Sequence, residues 1–509
     1  MSRLNELMRV AARLAREHVF ASAVLAVTLV AMVVATAGAT LVTNQRLNTH
    51  TTTPPATVIA QVTGTPATPA PRPTRTPRPA PPHGGNDWTQ YRYDVFGTGV
   101  NPETHFTTAN VATLAQSWAP INFSGHPWES TPAVFNGTIY VTNGNALQAI
   151  DLKSGKPLWH FDDVPQTYAT ISSSVGIDPA SKIAYYGTPD ARVYAVSLVT
   201  HQQVWMQQLG DPTTGAFIWG SPLIINNMVY IGLASHDDNP CIRGGFWALN
   251  AATGATNWAH YTVDANTIGG SVWSSITSDP GKHQLIVTTS NPCPDNNVVG
   301  EEDSILAVDW DTGATIWQYQ TLQTDACDCD FGEGAVIFTL AGTEYIVAGS
   351  KLGRVYALVP PSAAGDSPQV AWTADISDSQ NNDLGQGGIF EPPTYANGIV
   401  YFAGGPTLDG ACSGGGLWAF KADTGALAWR QCTAGQVASP SAYTNGVLFV
   451  GQADALVAYD AANGKVLWQG SLHVDGQPPD VWGGVCVSHG YVLVGSVSGY
   501  LHAFSLNGR

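Results

Sequence analysis

An alanine followed ten residues later by a tryptophan recurs along this chain, and it constrains the fold more than any other feature. The pattern reads ALQAIDLKSGKPLW (Ala146–Trp159), RVYAVSLVTHQQVW (Arg192–Trp205), GFWALNAATGATNW (Gly245–Trp258), SILAVDWDTGATIW (Ser304–Trp317), GLWAFKADTGALAW (Gly416–Trp429) and ALVAYDAANGKVLW (Ala455–Trp468). A seventh copy, Arg354 to Trp372, carries five extra residues in its turn. Alternating apolar residues make a half-buried strand, Asp-x-x-Thr-Gly makes a tight hairpin turn, and the next strand ends in a Trp whose ring is placed to dock between neighbouring sheets. Another strand pair precedes each copy, as in STPAVFNGTIYVTNG (Ser130–Gly144). Four strands roughly every 40 to 60 residues make a propeller blade.

The ends complete the count. The last residues, YLHAFSLNGR (Tyr500–Arg509), have the Ala strand and turn but no Trp, and LAQSW (Leu114–Trp118) has the Trp strand without a partner. Joined, they make an eighth blade that closes the ring with strands from both ends and leaves no open sheet edge. The expected fold is therefore all-β, an eight-bladed propeller over residues 84–509, with Asn86–Pro102 crossing one face. High Gly (53) and Trp (16) and only 12% charged residues suit such a fold.

The first 83 residues are different in kind. Four Arg precede an uncharged apolar run, Val19–Val42, which as a helix of about 36 Å spans a bilayer. The basic flank places residues 1–18 in the cytoplasm and the body outside it. A cleaved signal peptide is the rival reading, with small residues around Ala35–Ala39, but the run is long for one. Residues 49–82 carry ten Pro and ten Thr, so 43–83 reads as an extended, disordered stalk. The expectation is a single-pass cell-membrane protein with its propeller on the extracytoplasmic side. Residues 1–82 hold eight Arg, no Lys and two Glu, so the overall charge of −17 conceals a body near −23. Such a body argues against nucleic acid as a partner.

With the strands of a blade called A to D from the axis outward, B–C turns and D–A crossings leave on one face, and A–B and C–D turns on the other. The unusual sequence lies in B–C and D–A loops: Leu233–Gly244, Thr288–Asp303, Thr324–Gly334 and Gly404–Gly415. Trp128, Trp219, Trp273, Phe331, Phe390 and Trp482 stand at the heads of A strands and either rim the mouth or plug the channel. Cys241 with Cys293, and Cys412 with Cys432, are plausible disulfides. Cys327 and Cys329 are too close for an easy bond and are read as possible ligands, and Cys486 as a buried thiol. No CxxCH is present, so no attached c-type haem is expected.

Repeat and closure together resemble the pyrroloquinoline quinone (PQQ) repeat propellers. That scaffold is shared by the quinoprotein alcohol dehydrogenases and by a non-catalytic outer-membrane assembly propeller, so the loops must decide. GGSVWSSITSDPGKHQLIVTTSN (Gly269–Asn291) resembles the dehydrogenase stretch whose Trp lies under PQQ and whose Asn binds Ca²⁺, which implies Trp273 and Asn291 in those roles. A planar quinone suits an aromatic plate, and a hard cation suits a carbonyl oxygen. VYIGLASHDDNPCIRGGFWALN (Val229–Asn250) is similar to the loop supplying an acidic Ca²⁺ ligand, here Asp237. It looks most like the polyvinyl alcohol dehydrogenases, though these have adjacent cysteines where this chain has Cys241 alone. IVAGSKLGRVYAL (Ile346–Leu358) resembles the segment that presents a cation, Lys351, to the quinone oxygens. DACDCDFGEGAVIF (Asp325–Phe338) sits where the family keeps its catalytic Asp. Asp325, Asp328 and Asp330 compete for that role, with Asp328 or Asp330 preferred. Arg243 and Arg192 are candidates to meet the PQQ carboxylates.

The resemblance implies a PQQ- and Ca²⁺-dependent dehydrogenase that oxidises a small alcohol and passes electrons to a separate cytochrome or quinone. The alternative is a non-catalytic propeller, a tethered scaffold binding proteins or glycans.

Overall fold

The computed structural model describes residues 85–123, 130–143, 146–162, 172–236, 240–293, 297–377, 387–474 and 481–509. The anchor and stalk expected from the sequence, and the candidates Trp128 and Asp237, lie outside these residues. No helix among the described residues is long and apolar enough to cross a membrane.

Among the described residues, eight antiparallel sheets follow a four-strand path, A to D, seven of them in chain order and the eighth joining both ends of the propeller. Blade 1 runs from Ala133–Phe135 through Thr138–Asn143 and Ala146–Asp151 to Pro157–Asp162. Blade 4 uses Thr277–Asp279, Gln284–Thr288, Ser304–Asp309 and Thr315–Gln320, and blade 5 uses Val336–Leu340, Thr343–Gly349, Arg354–Val359 and Gln369–Asp375. Blade 8 is composite as expected: Leu114–Gln116 pairs with Tyr500–Leu506, in the register Leu114 to Leu506 and Gln116 to Phe504.

The repeating Ala and Trp are cross-strand partners. Ala149 faces Trp159, Ala248 faces Trp258 and Ala307 faces Trp317. A register shift follows each pair. Blade 5 keeps Ala357 opposite Trp372 and absorbs its five extra residues in the turn. The alanines are fully buried, so no larger side chain fits beside the indole. Each ring then reaches the next blade. Trp205 Nε1 donates to Ala251 O at 2.8 Å, Trp258 to Trp310 O at 3.1 Å and Trp372 to Ala422 O at 3.0 Å.

The turn glycine lies under the ring of the preceding blade. Gly313 has φ +75°, and a Cβ there would sit 2.7 Å from Trp258. Glycine therefore satisfies the left-handed turn and the close approach together. Blade 2 shows the exception, in which His201 takes the glycine position at φ +57° and stacks on Trp159 at 4.4 Å. The hydrophobic core is correspondingly divided between blades. Leu223, Tyr230 and Phe246 of blade 3, for example, pack on Val272, Leu285 and Leu306 of blade 4.

The lead-in segment closes the A–B turn face. Trp88 pairs with Val134 of blade 1, Thr89 O accepts from Ile177 N of blade 2, and Gln90 Nε2 donates to Ile224 O of blade 3. Val95, Phe96 and Thr98 then accept from Ser278, Ile337 and Tyr395 of blades 4 to 6. Asn101 bonds to Tyr443 of blade 7 and, through Nδ2, to Val487 O of blade 8 at 2.7 Å. The segment thus visits all eight inner strands in order and satisfies backbone groups that would otherwise be buried unpaired. The opposite face, with the B–C and D–A loops, carries the candidate site.

Candidate functional site

Three loops of blades 4 and 5 build the site. Trp273 precedes the A strand of blade 4. Asp325, Asp328 and Asp330 lie on the D–A crossing into blade 5, and Lys351 lies on the B–C turn of blade 5. The crossing is held to the turn by Lys351 N donating to Asp330 O at 2.8 Å. Close packing fixes the surroundings: a Cβ on Gly388 would come within 2.2 Å of the Lys351 backbone, and one on Gly334 within 2.1 Å of Ser275 O.

Lys351 Nζ lies 2.6 Å from Asp330 Oδ1 and 2.7 Å from Asp328 Oδ1, and 4.8 Å from the centre of the Trp273 ring. Trp273 Nε1 donates to Asp330 Oδ2 at 3.0 Å. Burial by itself would lower the Lys351 pKa, but Asp330 and Asp328 override it and hold the ammonium well above its ordinary range. The Asp330 side chain is fully buried, whereas that of Asp328 is 43% exposed. Only Asp328 of the two is open to an incoming molecule.

Behind this group stands Asp303, a residue that sequence reasoning passed over. It is fully buried, and among the described residues only the neighbouring Asp325 carboxyl is placed to share a hydrogen bond with it. Burial, then the nearby Asp325, Asp330 and Glu302 carboxylates, push its pKa up to about 9. The signal for it was the acidic run Glu301–Glu302–Asp303 at the head of a C strand, where a buried carboxylate has no evident partner. Buried carboxylates in excess of buried cations are the donor chemistry of a cation site.

Trp273, Asp328, Asp330 and Lys351 are thus brought together. Asn291 lies on the adjoining B–C loop of blade 4. Its Oδ1 accepts from Ser290 Oγ at 3.1 Å, and Ser290 O accepts from Asp303 N at 3.1 Å. Arg243 points elsewhere: its guanidinium donates to Val263 O at 2.7 and 2.9 Å and stacks 3.9 Å from the Tyr261 ring. Arg192 pairs with Asp190 at 2.7 Å. A narrow cavity lies deeper in the channel, between the lead-in residues Gln90–Arg92 and Ser275–Thr277, apart from the Trp273–Lys351 group.

Disulfides brace the same face. Cys241–Cys293 ties the B–C loops of blades 3 and 4, and Cys412–Cys432 spans the mouth side of blade 6, both as expected. Cys486 is a buried free thiol. Cys327 and Cys329, read from sequence as too close for an easy bond and as possible ligands, are joined to each other. Their Cα atoms are 5.1 Å apart because the left-handed Asp328 between them, at φ +53°, folds the loop back. Their sulfurs are therefore not available as ligands in this state.

With this geometry in hand, residues 88–359 match the model of the glucose/ethanol/alcohol dehydrogenase β-propeller domain. The chain belongs to that family. Residues 301–508 also match the model for outer membrane protein assembly factor BamB, consistent with a scaffold shared by both groups. Among relatives of this dehydrogenase-family chain, quinohemoprotein alcohol dehydrogenase ADH IIB of Pseudomonas putida is 28% identical over 283 residues. That match covers 48% of this chain and 41% of the relative, so the chain aligns with less than half of that protein's length. Polyvinylalcohol dehydrogenase of Pseudomonas sp is 24% identical over 516 residues, covering 83% of this chain and 78% of the relative. The solved europium-containing methanol dehydrogenase shares the fold with a TM-score of 0.71 at 18% identity, covering 83% of this chain and 98% of that one.

Proposed function

We propose that this protein is a PQQ- and metal-dependent dehydrogenase that oxidises alcohols outside the cytoplasm, tethered by residues 19–42, and hands electrons to a separate cytochrome or quinone acceptor. The observation that carries this reading is the Trp273–Asp330–Lys351–Asp328 group: an aromatic plate, a buried cation beside it and an accessible carboxylate. The residues present fit both cofactors. Trp273 would support the quinone ring and Lys351 would face its oxygens. Asn291 and Asp237, with the buried carboxylates of Asp303 and Asp330, would hold Ca²⁺ or, as the name of the europium-containing relative suggests, a lanthanide. Bound PQQ supplies the two-electron acceptor for an alcohol.

The chain's own residues then divide the work. Asp328, the exposed carboxylate, takes the hydroxyl proton. Asp330 holds the Trp273 indole and Lys351 in place, and Lys351 keeps a fixed positive charge at the plate. The Arg243 contacts with Val263 and Tyr261 leave its candidate role at the cofactor without support.

The test is titration of the purified protein with PQQ and Ca²⁺, or a lanthanide, followed by dye reduction with a series of alcohols. Saturable, metal-dependent binding and dye reduction that Asn291→Ala abolishes are expected. No binding at micromolar PQQ would overturn the reading in favour of a protein- or glycan-binding scaffold.

A further inference from the structure

The D–A crossing into blade 5 contains a device that the proposed chemistry leaves unused. Asp328 sits between two cysteines that are bonded to each other. Its φ of +53° lies in the left-handed region, which costs a non-glycine residue on the order of 1 kcal/mol. A loop relaxes out of that conformation unless something holds it. Two things do so here. The disulfide closes across Asp328 from both sides. Asp325, itself buried, accepts from Cys327 N at 2.8 Å with Oδ1 and from Cys329 N at 2.8 Å with Oδ2. The Asp328 carboxylate leaves this clamp directed at Lys351 Nζ, 2.7 Å away.

We propose that the Cys327–Cys329 disulfide, capped by Asp325, is the positioning element for Asp328, so that the site is competent only when this bond is oxidised. The consequence for catalysis rests on the function proposed above, whereas the restraint on the loop does not. With one residue between the cysteines, the bond acts on the local backbone of Asp328 more than on the entropy of a long unfolded loop. Opening it lets Asp328 return to a right-handed or extended conformation, in which its carboxylate no longer meets Lys351. The bond is also reachable, because Cys327 is exposed while Cys329 is buried. A thiolate of an external dithiol attacks Cys327 Sγ, and the S–S bond breaks with Cys329 leaving as a thiolate. The second thiol of the reductant then resolves the mixed disulfide. Two electrons and two protons pass to the cysteines, and the dithiol becomes a disulfide.

The other two disulfides join residues 52 and 20 positions apart and would be reduced as well, so the test isolates this one by mutation. In the full-length Cys327→Ser/Cys329→Ser variant, hydrogen exchange read by mass spectrometry should be at least tenfold faster at the amides of 325–330. The exchange at Cys412 and Cys293 should be unchanged. In the PQQ- and metal-loaded protein, kcat should fall tenfold or more, with KM and PQQ affinity within about threefold of wild type. Asp325→Asn should move both readouts in the same direction. Asp328→Asn should lower kcat while leaving exchange as in wild type, which separates the group that meets substrate from the clamp that holds it. If the double serine variant fails to fold, the Cys241→Ser/Cys293→Ser/Cys412→Ser/Cys432→Ser variant, compared before and after dithiol treatment and alkylation at Cys327 and Cys329, gives the exchange comparison for this bond alone. Unchanged exchange at 325–330 overturns the proposal. Wild type without PQQ-dependent dye reduction overturns the functional reading, and the exchange result still decides the clamp.

Discussion

The two faces of the propeller are built on the same strands and obey different rules. On the face of the A–B and C–D turns, most C–D turns repeat one arrangement, with the Trp ring of the preceding blade over a glycine, and several of these rings hydrogen-bond to the next blade. On the face of the B–C and D–A loops, blades 4 and 5 break the repeat with buried Asp303, Asp325, Asp330 and Lys351 and with disulfides. The first face is stabilised by apolar area and close packing. The second places like charges in a low-dielectric interior, an arrangement that costs stability and that a structural role alone does not require.

Substitutions should separate the faces by size and by kind of effect. Lys351→Met is expected to be the most damaging, about 3–5 kcal/mol in denaturant unfolding, because it leaves the Asp330 carboxylate buried without its cation. Adding Asp330→Asn should recover more than about 1 kcal/mol of that loss, since the two residues share one interaction. Strict additivity of the pair would show that the contact carries no energy. On the opposite face, Gly313→Ala forces a Cβ toward Trp258 at a positive φ and should cost about 2 kcal/mol. PQQ binding should be unaffected; a change there would mean that the faces are mechanically coupled.

Between the faces, the channel holds Glu333 and Glu391. Burial raises both to about 8, against the lowering effects of Arg92 and of nearby backbone amides. A carboxyl group raised in the folded state binds its proton more tightly there than in the unfolded chain. Its contribution is complete below about pH 4.5 and is lost as pH rises through about 8. Thermal midpoints should therefore fall by roughly several degrees from pH 6 to pH 9, and Glu333→Gln/Glu391→Gln should flatten the slope. A flat wild-type profile would remove these groups from the account. The smallest effect is expected for His201→Gly in blade 2, under about 1 kcal/mol, because glycine relieves the backbone at φ +57° while the stack on Trp159 is lost. A large loss would assign the Trp contact, rather than the backbone, to the turn's stability.

The propeller was legible because its signals are local. An Ala and a Trp paired across a hairpin must be ten apart when the turn is short, and the terminal half-blades differ from the copies in a way that only ring closure explains. The disulfides Cys241–Cys293 and Cys412–Cys432 followed from blade position alone. Cys327–Cys329 did not, since the left-handed Asp328 that makes the bond possible leaves no mark in composition. Trp273, Lys351 and the Asp325–Asp330 segment were found by resemblance, and their contacts by the structure. Arg243 had the right charge in the right loop, but the Val263 carbonyl and the Tyr261 ring hold its guanidinium at the end of the blade 3 D strand.

The amino-acid sequence by itself determined the number of blades, the seam between the chain ends and the face on which unusual chemistry gathers. These depend on spacing between neighbours along the chain. Tertiary structure decided which acidic residue is buried, which is open, and that Asp303 stands against Asp325 and Asp330 while Asp330 pairs with Lys351. Burial and electrostatic coupling are set by groups from different loops, and sequence distance carries no information about their distance in space.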